Sequence, residues 1–259
     1  MMRLFFDIGN TRLKWHLDEG SKGSVIESGS ILYKKQGWSA LTQLTKVKNI
    51  KSVWVSSVAS SDVALMIDAW AKEAFGFKVN WLNVAEESCG VRNLHYPLAQ
   101  LGVDRWAAVL GASQYFLINN IAGKAAIIID AGTAVTIDVL TNDLEFQGGV
   151  ILPGLNMMHD ALVGETQGID SSLVGDLVVP GQNTQQCVNS GVHYALFGAI
   201  ERLVIEVKGA LNLPDSEIVI MLTGGDALLI ERYSSLKFIV LPSLVLDGLK
   251  CVADASEDR

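Results

Sequence analysis

The sequence predicts an α/β protein made of two similar domains around a cleft. Segments typical of buried strands alternate with segments of helical spacing along most of the 259 residues. In addition, an apolar run that ends in Asp-x-Gly occurs in each half of the chain, at residues 5–15 and again at 125–139. We therefore predict a duplication, with one domain at 1–120 and the other at 121–259.

The composition excludes several classes of protein. Hydrophobic residues make up 49% and charged residues 19%, which indicates a globular chain. With 20 Lys and Arg against 28 Asp and Glu, the net charge of -8 argues against a nucleic-acid or anionic-membrane surface. This net charge still allows a small anionic ligand that is bound by a few local hydrogen-bond donors. The short apolar run before Asp7 and the lack of any long apolar segment predict a soluble, cytoplasmic protein.

The three cysteines are Cys89, Cys187 and Cys251, and none belongs to a CxxC pair. We expect buried free thiols in a reducing compartment. A metal or redox role is the less favoured alternative.

The first half alternates between strands and helices. Residues 50–57 predict a strand, and the helix that follows is capped by Ser or Asp at 60–62 and closed by Gly76. A strand at 78–84 and a helix at 102–118 complete this half.

The second half repeats the scheme after the linker "NNIAGK". A long helix is predicted at 189–214, where Pro214 stops it. A strand at 217–227 and a short helix follow.

Asp7 and Asp130 each end a buried strand beside a glycine turn. Glycine lets a phosphate approach the backbone N–H groups, and Asn10, Thr11 and Thr133 add small hydrogen-bonding side chains, with Lys14 as a nearby cation. The two carboxylates could face each other across the cleft and hold cations that bridge phosphates. The alternative is that each Asp only caps a turn.

Two further glycine pairs are ambiguous. "LTGGDA" at 222–227 could seat an adenosine or be a plain strand-to-helix turn, and "GGVILPG" at 148–154 shares this ambiguity. Neither a P-loop, a dinucleotide fingerprint nor an HExxH motif is present, and the four histidines are scattered.

"LGVDRW" at 101–106 places two charged residues in the first turn of a mostly apolar helix. Asp104 could take a proton from a substrate hydroxyl during phosphoryl transfer, and Arg105 could bind a substrate carboxylate. We expect the helix N-terminus to lower the pKa of Asp104. The alternative is an Asp that only stabilises the helix N-terminus.

In this order and spacing, "DIGNTRLKW", "LGVDRW", "DAGTAVTIDV", "GGVILPG" and "LTGGD" resemble the type III pantothenate kinases over nearly the whole chain. The resemblance implies duplicated ribonuclease H-like, actin-like ATPase domains around a nucleotide cleft. It also implies ATP-dependent phosphorylation of pantothenate, the first step of coenzyme A biosynthesis, in a homodimer whose site is near the interface.

The resemblance assigns Asp104 as the catalytic base and Asp130 as the ligand of a monovalent cation, K⁺ or NH₄⁺, needed beside Mg²⁺. It assigns two further groups of residues, for ATP and for pantothenate. ATP binding falls to Asp7, Ile8, Gly9, Asn10, Thr11, Arg12, Leu13, Lys14 and Thr133. Pantothenate binding falls to Tyr96, Gly102, Val103, Asp104, Arg105 and Thr184.

The chain departs from the family pattern in two places. A substrate-contacting Tyr is expected two residues after Arg-Asn, where this chain has His95, with Tyr96 one position later. We favour Tyr96, with His95 as the alternative, and the unusual residues before Thr184 weaken its assignment.

Two other functions compete with this prediction. One is another small-molecule kinase on the same scaffold, which would differ in the acceptor motif. The other is a regulatory protein without catalysis. Such a protein would not need to retain Asp104 or the phosphate-binding residues of the hairpin from Asp7 to Lys14.

Overall fold

The computed structural model describes residues 2–20, 23–121, 123–169 and 172–257. Its strands are β1 (Met2–Ile8), β2 (Leu13–Asp18), β3 (Val25–Ile31), β4 (Ile50–Ser57), β5 (Asn80–Trp81), β6 (Glu87–Ser88), β7 (Val91–Asn93), β8 (Ala125–Ala131), β9 (Ala134–Leu140), β10 (Glu145–Pro153), β11 (Ile218–Gly224) and β12 (Ile239–Val240). Its α-helices are α1 (Tyr33–Gln36), α2 (Leu41–Leu44), α3 (Ser61–Phe75), α4 (Val103–Ile118), α5 (Leu155–Glu165), α6 (Thr184–Leu211), α7 (Ala227–Tyr233) and α8 (Leu244–Glu257).

The chain divides into two compact units. Unit 1 comprises Met1–Ala122, Asp143–Gln147 and Ser243–Arg259, and unit 2 comprises Gly123–Asn142 and Gly148–Pro242. The first segment of unit 1 ends close to the predicted boundary at residue 120. The C-terminal helix α8 groups with unit 1, however, whereas the sequence boundaries put it in the second half.

Both units contain the same sheet. In unit 1 the strand order is β3-β2-β1-β4-β5, with β1 antiparallel to β2 and parallel to β4. The second sheet has seven strands in the order β12-β11-β8-β9-β10-β7-β6, and in its part β10-β9-β8-β11-β12 strand β8 is antiparallel to β9 and parallel to β11. The predicted α/β fold class is confirmed, and the repeat seen in two hairpins extends to five strands in each unit.

The two faces of the unit 1 sheet differ in character. On one face of β1, Leu4, Phe6 and Ile8 join a buried apolar cluster with Ile67 and Ala71 of α3. Because side chains alternate along a strand, Arg3, Phe5 and Asp7 lie on the opposite face. Helix α8 packs on β1 and β4, and on α4.

A buried ionic network fixes α8 to unit 1. The Arg3 guanidinium donates to both carboxylate oxygens of Asp18, at 3.0 and 2.8 Å, and pairs with Asp254 of α8 at 2.6 Å. Lys250 of α8 donates to the same Asp18 carboxylate at 2.6 Å. Burial acts to raise the pKa of Asp18, but the hydrogen bonds from Arg3 and Lys250 lower it overall. These charges compensate one another, as buried charges require, and bring the C-terminal helix to the N-terminal strands.

Most predicted elements occur, with shifted ends. Helix α3 ends at Gly76, which takes the left-handed conformation (φ 81°) expected of a C-terminal cap. Helix α6 begins five residues earlier than predicted, because Asn183 accepts from the Gln186 N–H and caps it there. The predicted strand at 78–84 shrinks to β5, at the edge of its sheet.

The three cysteines are free thiols, as predicted, but the expectation that they are buried is wrong. Cys187 is exposed, and Cys89 and Cys251 are half-buried. Within the described residues, no helix has the length and apolar character needed to cross a membrane.

Candidate active site

Unit 1 presents the first Asp-x-Gly hairpin at the ends of β1 and β2. Asp7 lies opposite Lys14 on β2 and opposite Ser56 on β4. Directly opposite residues point to the same face of a sheet, so the Asp7 carboxylate and the Lys14 ammonium share a face, as the sequence predicts. Ser56 is fully buried on that face.

The loop of this hairpin corrects one expectation. The Gly9 N–H donates to the Arg12 carbonyl at 3.0 Å, so it closes the turn and is not a spare donor for phosphate. The Tyr33 hydroxyl donates to the Gly9 carbonyl at 2.6 Å and holds the loop from outside. The side chains of Ile8 and Leu13 lie in the core, so only their backbone groups could reach ATP.

The remaining residues of the loop face outward. Asn10 and Arg12 are exposed, and Thr11 is half-buried. These three residues are therefore the part of the loop that a phosphate can approach directly.

Unit 2 repeats this arrangement around Asp130. This residue lies opposite Thr136 on β9 and Thr223 on β11. The Gly132 N–H donates to the Ala134 carbonyl at 3.0 Å and closes the turn, as Gly9 does in unit 1. In both units, then, a carboxylate at the end of the central strand has a hydroxyl residue opposite it on the parallel neighbour.

The two ambiguous glycine motifs both pack against the second hairpin. A Cβ on Gly154 would lie 2.3 Å from the Gly132 carbonyl oxygen, and a Cβ on Gly224 would lie 2.2 Å from that of Ala131. These glycines therefore allow close contact between backbones. Within "LTGGDA", Gly225 has no heavy atom within 4 Å of its Cβ position, so the space for a ligand in this motif is at Gly225.

The "LGVDRW" motif at 101–106 forms the N-terminus of α4 in unit 1. Gly102 is the N-cap in an extended conformation, and a Cβ there would lie 2.6 Å from Asp104 Oδ1. The absence of a side chain at Gly102 thus lets the Asp104 carboxylate turn back over the helix end. Asp104 Oδ1 accepts a hydrogen bond of 2.8 Å from the Arg105 backbone N–H.

The pKa of Asp104 contradicts the sequence expectation. Burial raises it above the ordinary carboxyl value, and this exceeds the opposing effects of the Arg105 N–H bond and the Arg105 charge. The helix N-terminus was expected to dominate, but loss of hydration is the larger effect here. A carboxylate with a raised pKa is a stronger proton acceptor.

Arg105 is held by an aromatic group that the sequence did not single out. Its side chain is buried, with the guanidinium carbon 6.0 Å from the centre of the Phe146 ring. The rings of Trp106 and His95 lie 6.2 and 6.3 Å from the same ring. Phe146 therefore joins the Arg105 helix to the segment that contains His95.

Tyr96 and Thr184 are placed differently. Tyr96 is 91% exposed, and its ring does not pack on Phe146 as that of His95 does. Thr184 is exposed at the first position of α6 in unit 2. Their substrate roles stay predictions, as does the pairing of Asp7 with Asp130, which belong to different units.

Sequence reasoning missed Tyr33, Phe146 and the two opposed hydroxyl residues, Ser56 and Thr223. Ser56 could have been found from the sequence, since it precedes the end of the predicted strand at 50–57 by one position. Thr223 lies four positions before the end of the predicted strand at 217–227, so only the register of the observed strands places it opposite Asp130. Tyr33 and Phe146 carry no local pattern and act through contacts distant in sequence.

No cluster of three or more His, Cys, Asp or Glu side chains suitable for a metal is found among the described residues. The two residues opposite Asp130, Thr136 and Thr223, each have a side-chain hydroxyl group. Such donors suit hard cations bound weakly beside phosphates.

Comparison with known proteins gives consistent results. A family profile described as type III pantothenate kinase matches residues 3–206. Relatives with the same description occur in Azoarcus sp. (32% identity, 98% of this chain and 91% of the relative) and Aromatoleum aromaticum (35%, 97% and 98%).

Solved structures show a shared fold at low identity. A Campylobacter jejuni protein assigned to the Baf family of transcriptional activators aligns with a TM-score of 0.59 at 19% identity, covering 99% of this chain and 100% of that one. The polyphosphate/ATP-glucomannokinase of Arthrobacter sp. strain KM aligns with a TM-score of 0.51 at 13% identity, covering 98% and 99%.

Proposed function

The chain belongs to the type III pantothenate kinase family, and from this membership we propose how its residues divide the reaction. The enzyme transfers a phosphoryl group from ATP to the hydroxyl of pantothenate, which gives 4'-phosphopantothenate, the first step of coenzyme A biosynthesis. A divalent metal accompanies the ATP, as this transfer requires neutralised phosphate charge.

Asp104 is proposed as the catalytic base. The observation that carries this proposal is a half-buried carboxylate with a raised pKa at the N-terminus of α4. Its carboxylate accepts the proton of the pantothenate hydroxyl as that oxygen attacks the terminal phosphorus. The hydrogen bond from the Arg105 N–H to Oδ1 holds the carboxylate at the helix N-terminus, where the substrate hydroxyl would approach it.

Arg105 is proposed to bind the pantothenate carboxylate. Its packing on Phe146 supports this role, because a guanidinium fixed against a ring loses less side-chain entropy on binding. Gly102 and Val103 would contact the substrate through their backbone. Of the two candidates in the neighbouring segment, His95 shares the Phe146 ring with Arg105, which favours His95 over Tyr96.

The two hairpins are proposed to bind ATP. Asn10, Thr11 and Arg12 of the first loop would contact phosphates, with Lys14 contributing positive charge. Asp7 would act through Mg²⁺, since a bare carboxylate repels phosphate. Thr133, which is exposed in the second turn, would contact the nucleotide from unit 2.

Asp130 is proposed to hold the monovalent cation, K⁺ or NH₄⁺. The oxygen donors around it support a hard cation, which would supply positive charge beside the phosphates when bound. We propose a cytoplasmic reaction, consistent with the three free cysteines of a reduced chain.

We also propose a homodimer through a groove of unit 2. Val178, Val179 and Tyr194 line this mostly apolar groove of ≈ 590 Å³ together with Cys187 of α6. Val179 is 70% exposed and Tyr194 48%, so the apolar lining of the groove is open to a partner. Thr184 precedes Cys187 by one helical turn, so a partner in this groove would approach it.

The test measures ADP release with pantothenate and ATP-Mg²⁺, in potassium and in sodium. The wild type should turn over in potassium, and Asp104→Asn should lose 10²–10⁴-fold in kcat, about the usual contribution of a general base. Asp62→Asn is the matched control, because Asp62 also lies in the first turn of a unit 1 helix. It should keep full activity.

Three outcomes would contradict parts of the proposal. Full activity in Asp104→Asn would remove Asp104 as the base. Equal rates in sodium and potassium would remove the monovalent cation. ADP release with another small acid or a sugar, but not with pantothenate, would favour a different kinase on this scaffold.

A further inference from the structure

Tyr33 connects the segment after strand β3 to the loop of the first hairpin. It follows Ile31, the last residue of β3, by two positions. Its hydroxyl donates to the Gly9 carbonyl at 2.6 Å, across 24 residues of sequence within unit 1. A side chain from outside the hairpin therefore fixes part of the hairpin loop.

The ring of Tyr33 is itself held in place. It is 8% exposed and belongs to the apolar cluster that contains Phe6 and Ile8. The Trp38 ring stacks on it, with 4.3 Å between the ring centres and 14° between the ring planes. Burial raises the pKa of the Tyr33 hydroxyl, so this group keeps its proton at neutral pH and can donate it in a hydrogen bond.

The bond from Tyr33 sets the orientation of one peptide group of the loop. The peptide bond between Gly9 and Asn10 is trans. In a trans peptide the C=O and N–H bonds point in opposite directions. Because the Gly9 carbonyl points at the Tyr33 hydroxyl, the Asn10 N–H points away from this buried ring, in a part of the loop that is exposed.

This orientation decides whether the loop offers a donor or an acceptor to a phosphate. Two neighbouring backbone groups are already engaged, since the Gly9 N–H donates to the Arg12 carbonyl at 3.0 Å and the Ile8 carbonyl accepts from the Val58 N–H at 3.1 Å. If the peptide between Gly9 and Asn10 turned over, its carbonyl oxygen would face an approaching anion and repel it. In the observed orientation an N–H group faces that side, as in anion sites built from backbone groups.

We propose that Tyr33 is a positioning residue for ATP, which holds the peptide between Gly9 and Asn10 so that the Asn10 N–H donates to a phosphate of the nucleotide. The proposal rests on the proposed binding of ATP by the first hairpin. Tyr33 acts on nucleotide affinity through the loop. When only a fraction of the loops has the correct orientation, the apparent affinity falls by that fraction.

The test is Tyr33→Phe, which removes the hydroxyl and keeps a ring that can stack on Trp38. Calorimetry with Mg²⁺ and the non-hydrolysable ATP analogue AMP-PNP should give a dissociation constant about 2–13-fold higher than that of the wild type, the factor expected for one net hydrogen bond. The dissociation constant for adenosine, which has no phosphate, should not change. In the ADP assay the KM for ATP should rise and the KM for pantothenate should stay the same.

Tyr233→Phe is the matched control. The Tyr233 ring also stacks on an aromatic ring, that of Phe197, at 5.6 Å with 12° between the planes. Tyr233 belongs to unit 2 and to no part of the proposed ATP site. This variant should bind AMP-PNP and adenosine as the wild type does. Circular dichroism checks that both variants are folded.

Two further variants test the hairpin separately. Arg12→Ala and Lys14→Ala each remove a positive charge from it, and both should weaken AMP-PNP binding. If neither does, the first hairpin is not the ATP site, and the proposed function of the hairpin fails together with the role of Tyr33. If they weaken binding and the folded Tyr33→Phe variant does not, only the role of Tyr33 is wrong. An equal loss of affinity for AMP-PNP and adenosine in Tyr33→Phe would also overturn that role, because it would show a general loosening of the fold.

Discussion

The pKa of Asp104 is shifted in opposite directions by the position of this residue in its helix and by its burial. The helix N-terminus and the Arg105 charge favour the ionised form, whereas burial favours the protonated form, and burial dominates. The ionised carboxylate is the form that can accept a proton. The burial that makes this carboxylate a stronger proton acceptor therefore also makes its ionised form unfavourable for folding.

This conflict predicts a stability effect of Asp104→Asn that depends on pH. A raised pKa in the folded state means that folding binds the proton more tightly, so stability from this group is present in acid and lost as the pH rises through the folded pKa. The Asn variant avoids this loss. At about pH 8 we expect the Asn variant to melt at or above the melting temperature of the wild type. The gap between the two melting temperatures should shrink towards about pH 5.

Thermal melts followed by circular dichroism over that range measure this effect. Asp62→Asn is again the control, since Asp62 is exposed and should show no comparable trend. An Asp104→Asn variant that melts lower at every pH would contradict the burial argument.

At the scale of elements, the contact between α4 and α8 depends on two glycines. A Cβ on Gly111 of α4 would lie 2.1 Å from the Leu244 carbonyl oxygen, and one on Gly248 of α8 would lie 1.8 Å from that of Ala107. The two helices therefore touch through their backbones. This contact supports α4, whose first turn contains Asp104.

Gly248→Ala should separate the two helices. The added methyl group has no space against the Ala107 backbone, so we expect a loss of about 1–3 kcal/mol in the free energy of unfolding. Lower activity should accompany it, because α4 moves. Urea unfolding and the ADP assay measure the two effects.

Gly209→Ala in α6 is the matched control. No heavy atom lies within 4 Å of a Cβ at this position, so the change should be neutral or stabilise by up to about 1 kcal/mol. Equal unfolding curves for the two variants would show that the close helix contact does not limit stability.

At the scale of the whole molecule, each unit repeats one sheet with one hairpin at its centre. The repeat supplies two turns of the same kind, one from each unit, and each brings an Asp and small hydrogen-bonding side chains. The two units differ in the helices that accompany this shared sheet. Unit 1 carries helix α4 with the proposed base Asp104, and unit 2 carries the long helix α6 and its apolar groove.

The groove leads to a prediction about the assembly. Val179→Glu places a charge in the groove and should convert the proposed dimer to a monomer, because an unpaired charge is costly in an apolar interface. Leu65→Glu is the matched control, since Leu65 on α3 is 68% exposed and Val179 is 70% exposed. Size-exclusion chromatography with light scattering gives the masses. A monomeric wild type, or a dimeric Val179→Glu, would contradict the proposal.

The sequence by itself determined the features that depend on neighbouring residues. The two Asp-x-Gly hairpins, the α3 cap at Gly76 and the start of α4 at Gly102 were predicted correctly, because alternation, caps and glycine turns are local properties. The family resemblance rested on the same motifs. These features were enough to predict the fold class and the reaction.

Only the tertiary structure decided the features that depend on distant contacts. It grouped α8 with unit 1 through Arg3 and Asp18, and it packed Phe146 against Arg105. It also raised the pKa of Asp104, against the expectation from its place in the helix. The physical reason is the same in each case: burial and the pairing of charges and rings are set by residues far away in the sequence, and no local pattern records which of them will meet.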